Sequence, residues 1–167
     1  MKTILDVLIG RMRLRLLESQ RGVLFRKGEV QAILGPGEHA LMNPRNSVEV
    51  VPYDIVGMPV FRATFEKALF AKLPDVAAKH FTVFRTTRAE VAVIERDGIV
   101  FDVLAPDTRT VLWTDAGPWT GTTVEIAGDL RIEPELLRRL MLAGKTGLVT
   151  TATVAEGHVA LLFVDGV

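Results

Sequence analysis

Three stretches of this chain carry residue types whose spacing could do chemistry. The first is Gly35-Pro36-Gly37, in LGPGEH, where small residues could free backbone amides to cradle a phosphate. Such a loop delivers its anion to the N-terminus of a following helix, whereas EHALMN reads as a strand, so the context favours a chain-reversing turn. The second is AGKTG at 143–147, which contains the Gly-Lys-Thr of a nucleotide-binding loop. The first glycine of that motif would fall where Arg139 stands, and the lysine follows a helical segment instead of opening one, so a helix stop with a basic residue is the better account. The third is the histidine set His39, His80 and His158, which holds no close pair of the i, i+4 kind that a metal site uses.

Nothing else supplies a catalytic constellation. Ser19 and Ser47 have no base near them in the pattern, and a carboxylate pair such as Asp102 with Glu125 is not distinguished from ordinary solvated charges. The chain has no cysteine, which removes a disulfide framework, a thiolate zinc site and a cysteine nucleophile. The expectation is therefore a non-enzymatic protein with no catalytic, metal or cofactor-binding residue. The candidate interaction residues are Trp113 and Trp119, which flank the turn TDAGP, and Val159, Leu161 and Phe163 in an apolar terminal strand. Two readings of the tryptophans stay open: a contact surface at a loop tip, or packing across the turn.

The elements that must position these residues emerge when the sequence is slid against itself. At an offset of 70 positions, GVLFRKGEVQAILGPGEHALM (22–42) lies without a gap on AVIERDGIVFDVLAPDTRTVL (92–112). Identities fall at Val23/Val93, Arg26/Arg96, Gly28/Gly98, Val30/Val100, Leu34/Leu104 and Pro36/Pro106. Both copies read as β-hairpins closed by Lys27-Gly28 and Asp97-Gly98, with a proline turn after the second arm. A further strand follows each, over 47–55 and 122–130, the latter displaced by about six residues in TDAGPWTG. Helical segments come next, at 64–73 with a short continuation from Pro74, and at 133–145. Lead strands at 80–88 and 148–154 then open the next hairpin, and VAEGHVALLFVDGV (154–167) matches the start of a third, ending at its turn. By the same phase MKTILDVLIG is the tail of a helix and RMRLRLLE the first lead strand. The fold class expected is α+β, with tandem repeats of about 70 residues built from β-hairpins, strands and short helices, in antiparallel sheets with helices on one face. The units are 1–80, 81–147 and an incomplete hairpin over 148–167.

These residues carry a resemblance. Glu18, Arg21, Gly22 and Val23, then Arg26 and Gly28, the Gly35–Gly37 turn, and Val51 with Asp54 resemble the opening pattern of the stomatin, prohibitin and flotillin superfamily, known as SPFH or band 7. VAEGHVALLFVDG is similar to a phrase of its bacterial slipin branch, in which such hairpin units precede the band 7 domain. The helix-rich second half of that domain and its coiled-coil tail have no counterpart here. What the resemblance implies is the leading repeats of a scaffold.

Composition agrees with an interaction module more than with a nucleic-acid binder. Twenty basic residues balance twenty acidic ones, so no net field recruits nucleic acid, and RMRLRLL reads as a half-exposed strand. Hydrophobic residues make up 49% of the chain, yet no apolar run approaches the ~18 residues of a spanning helix. A cytoplasmic location is expected. The partner is expected to be another copy of the chain or a different protein, reached through the open edge of HVALLFV, which pairs either with RMRLRLL or with a second copy. The alternative function is a lipid-, small-molecule- or peripheral membrane-binding module that uses an apolar groove between a sheet and the helices and touches the bilayer through residues 1–9.

Overall fold

The computed structural model describes residues 10–43, 45, 47–126 and 131–161. Among them are ten strands in antiparallel pairings and three α-helices, an α+β architecture. β1 (Arg11–Leu16) pairs with β4 (Gly37–Met42) in a two-stranded ribbon. β2 (Gln20–Arg26) is the centre of a three-stranded sheet between β3 (Glu29–Leu34) and β5 (Val48–Asp54). Helices α1 (Glu66–Lys72) and α2 (Pro74–His80) follow. A second ribbon joins β6 (Phe81–Arg85) to β9 (Arg109–Trp113). A second three-stranded sheet places β7 (Glu90–Arg96) between β8 (Ile99–Leu104) and β10 (Trp119–Glu125), and α3 (Pro134–Leu142) comes after it.

The hairpin turns form where the sequence places them. Lys27-Gly28 and Asp97-Gly98 have positive φ at both central residues, 52° and 79° in one, 52° and 76° in the other. That geometry matches the right-handed twist of the flanking strands. Each hairpin also slips register once, between Leu24 and Phe25 and between Ile94 and Glu95, a bulge that adds twist. The helices start at Pro74 and Pro134, whose missing amide costs nothing in a first turn.

Two glycines let ribbons lie on sheets. A Cβ at Gly22 would stand 2.8 Å from both Leu16 and Val50, so β1 crosses β2 at a distance that no other residue permits. At Gly121 a Cβ would stand 2.4 Å from the ring of Phe84, which sets β6 on β10 in the same way.

The larger core lies between the β3-β2-β5 sheet, helices α1 and α2, and the β6–β9 ribbon. Val23, Val30 and Ile33 of the sheet meet Leu69 and Ala77 of the helices and Phe81, Val111 and Trp113 of the ribbon. Phe61, 1% exposed, sits at the centre, with ring centroids 4.4 Å from Phe81 and 5.2 Å from Trp113. This core joins residues on both sides of position 80.

Several elements differ from expectation. Residues 148–154 form no strand; a turn at Leu148 gives way to exposed irregular chain, because a lone strand has no ladder to satisfy its amides. RMRLRLL pairs through Arg11–Leu16 with β4 on one edge, and among the described residues no strand pairing links it to the terminal segment. β10 begins at Trp119, three residues before the strand expected at 122. The helix expected over residues 1–10 lies almost wholly outside the described residues. No helix among the described residues is long and apolar enough to cross a membrane.

Phe61→Ala should lower the unfolding free energy by about 3–5 kcal/mol, the cost of emptying an aromatic site that cannot collapse. Urea denaturation followed by tryptophan fluorescence reads it, and a loss under about 1 kcal/mol would show that this centre is not tightly packed.

Candidate interaction surface

The second sheet is built on the same apolar positions as the first but is covered differently. Val93 and Val100 meet Leu140 of α3, with Val103, Leu136, Ala143 and Val149 packed around them. Beside this cluster, between the sheet and α3, runs an apolar groove of about 150 Å³ lined by Val91, Val93, Val124, Leu136, Leu140 and Leu148. One residue of each sign, Glu125 and Arg131, stands at its polar margin. α3 is held across the sheet by ion pairs: Arg139 with Glu95, and Lys145 Nζ with Asp102 Oδ1 at 3.0 Å.

The AGKTG stretch is the stop of α3. Gly144, at φ 66°, donates its amide to the Met141 carbonyl, and Lys145 donates to Leu140. These are the two bonds of a Schellman motif, and they leave no phosphate loop ahead of a helix. The Gly35–Gly37 turn is likewise closed from within, since His39 Nε2 donates to the Gly35 carbonyl at 2.8 Å and the residues after it are β4.

The tryptophans pack across the turn. Trp113 is 1% exposed, so its indole offers no area to a partner and its place among contact residues is corrected: the aromatic core encloses it. Trp119 Nε1 donates to the Trp113 carbonyl at 2.8 Å, its ring meets Phe101 at 5.1 Å, and the Arg96 guanidinium lies over it. Val159 and Leu161 are 92% and 80% exposed and belong to no strand. Phe163 lies outside the described residues.

Among the described residues no cluster of three or more histidine, cysteine or acidic side chains is placed to hold a metal ion. Asp102 and Glu125 sit on β8 and β10, the two outer strands of one sheet with β7 between them, so they do not form a pair. A long-range polar junction lies elsewhere, where Arg21 Nε donates to Asp115 Oδ2 at 2.9 Å and joins β2 to the turn after β9. His80 lies beside it, its Nδ1 buried without a hydrogen-bond partner among the described residues. Burial pushes the His80 imidazole below its ordinary range; Asp115 opposes this, while Lys79 and Arg21 reinforce it.

The sequence reading anticipates an apolar groove between a sheet and the helices only in its alternative function and does not place it, though a signal for its place exists. Phe61, Phe65 and Phe70 follow the first sheet, whereas residues 127–147, which follow the second, contain no aromatic residue. The chain matches no protein-family model, no curated protein and no solved structure.

Because His80 titrates lower when folded, the unfolded chain binds the extra proton first as pH falls through about 6.5. Stability should decline from there down to the folded value and then level off. His80→Gln should flatten that slope, read by denaturant midpoints between pH 8 and 5; an unchanged slope would move its origin to the carboxylates.

Proposed function

We propose that this chain is a non-enzymatic assembly module of tandem units of about 70 residues, similar to the leading repeats of a bacterial slipin in the SPFH superfamily. The observation that carries the reading is that the sheet of one unit is covered by the ribbon of the next, a coupling that repeat proteins use to join neighbours. Pairings support it. Gly22↔Leu34 in the first hairpin corresponds to Ala92↔Leu104 in the second, 70 residues on for both partners. The ribbons correspond with one added residue: Leu14↔His39 against Phe84↔Thr110, offsets of 70 and 71. The turn that leads from ribbon to sheet repeats as well, with Gln20 donating to Leu17, Glu90 to Thr87, and His158 to Ala155. The third of these turns opens the segment that carries Val159 and Leu161.

Function then lies in association. The exposed apolar residues Val159 and Leu161 would pair as a strand edge with a protein partner, a second copy of the chain being the one to test first. The absence of cysteine and of a net charge suits a cytoplasmic protein. A second reading, contact with a membrane surface, is favoured by one feature: Arg11, Arg13 and Arg15 project to one exposed side of β1, directly after residues 1–9.

Light scattering on the purified chain should give a mass above 18.3 kDa that rises with concentration. Val159→Lys with Leu161→Lys should return it to the monomer. A monomer at every concentration would remove self-association.

Flotation with anionic vesicles tests the second reading. Under the assembly reading the chain stays in the bottom fraction, and recovery with the vesicles that is lost on deleting residues 1–9 would favour the membrane instead.

A further inference from the structure

The two sheets present the same three positions to their cores. Val23, Val30 and Ile33 on the first correspond to Val93, Val100 and Val103 on the second, 70 residues later. Helix residues cover part of both faces: Leu69 and Ala77 on the first, Leu140 on the second. Beyond the helices the faces differ. On the first, the β6–β9 ribbon lays down Phe81, Val83, Val111 and Trp113. On the second, among the described residues, that ground is the groove of about 150 Å³.

We propose that this groove is the docking site for a two-stranded β-ribbon whose inner face is mainly aliphatic and aromatic, of the kind β6–β9 presents to the first sheet. The inference rests on the tandem-unit reading and names the partner's chemistry. Three observations select this occupant. Leu148 and Val149, already at the groove, stand where a lead strand would begin after a helix, as Phe81 begins directly after α2. Apart from Glu125 and Arg131 the groove is lined by aliphatic side chains, so most of a ribbon's inner face would meet apolar walls, which favour aliphatic and aromatic side chains over a row of charges. The third observation removes the chain's own first ribbon as occupant. Its inward-facing row is Met12, Leu14 and Leu16, with Leu16 seated against Gly22 of its own sheet, and the opposite row is the exposed Arg11, Arg13 and Arg15. These arginines stand at the positions where β6 carries Phe81, Val83 and Arg85, and two of them would have to enter the groove.

The test duplicates residues 81–147 in place, after Gly147, so that the full chain is retained and a second β6–β9 ribbon follows the groove. The chain has no cysteine, so Leu136→Cys in the original unit reports groove access by its rate of reaction with a thiol reagent. Labelling should slow by about tenfold in the duplicated chain relative to the original length. Phe81→Arg with Val83→Arg in the added ribbon should restore the fast rate. An unchanged rate in the duplicated chain overturns the proposal. Hydrogen exchange then separates the failures: protected amides in the added strands leave the tandem-unit reading standing, and unprotected ones remove it too. In the chain of original length, labelling that slows with protein concentration would assign the groove to a second copy. Slowing by phosphatidylcholine vesicles would assign it to lipid. Either result overturns the ribbon as occupant.

Discussion

The seating of the β6–β9 ribbon on the first sheet is the contact on which the arrangement depends. A two-stranded ribbon alone is marginal in water, and this one is stabilised on both faces. One face gives Phe81, Val111 and Trp113 to the core around Phe61. The other lays Phe84 on Gly121 and carries the fully buried Leu112. The ribbon is thus shared between two sheets, and a residue change on either side of it acts on both. The isolated bridge from Val60 to Leu112, with Phe61 donating to the Val111 carbonyl and Trp113 donating to the Pro59 carbonyl, ties the segment before α1 to the same ribbon.

Burial on two faces explains what the sequence concealed as well as what it displayed. The hairpins were legible because a tight turn demands positive φ, and Lys-Gly and Asp-Gly between β-rich runs announce it. The short helices were legible from proline at their first positions and from a glycine stop. The location of Trp113 was not, because a strand buried on both sides loses the alternation that marks an inner and an outer face. TVLW reads as a uniform apolar run in which the last residue is free to be a loop-tip aromatic. Only the pairing Phe81↔Trp113 places it in the core. The position of the groove was illegible for a related reason: its walls are mostly valines, isoleucines and leucines that any core would use, so a groove between sheet and helices could be expected but not placed.

The polar contacts follow the same frame without creating it. Arg21 with Asp115 spans from the first sheet to the turn beyond the ribbon, and Arg109 with Glu66 spans from the ribbon to α1. Both sit at the rim of the aromatic core, where Arg109 also lies over the Phe70 ring at 5.0 Å. Partly exposed pairs of this kind contribute about 1 kcal/mol or less, so they set orientation more than they supply stability.

The arginine row on β1 is the clearest difference between the two ribbons. A stack of units that bury their faces against one another needs an outer face that water accepts, or it continues to add neighbours. Arg11 and Arg13 stand where β6 has Phe81 and Val83, so the first ribbon turns a solvated face outward while Leu16 still seats it on its own sheet. Each ribbon therefore has two independent rows, one that fastens it to a neighbouring sheet through a glycine and one on its opposite face. The second row is charged in the first ribbon and apolar in the next. That difference decides what each ribbon can be buried against: the row with Phe81 and Val83 enters the core of the first sheet, whereas the row with Arg11 and Arg13 stays exposed on β1.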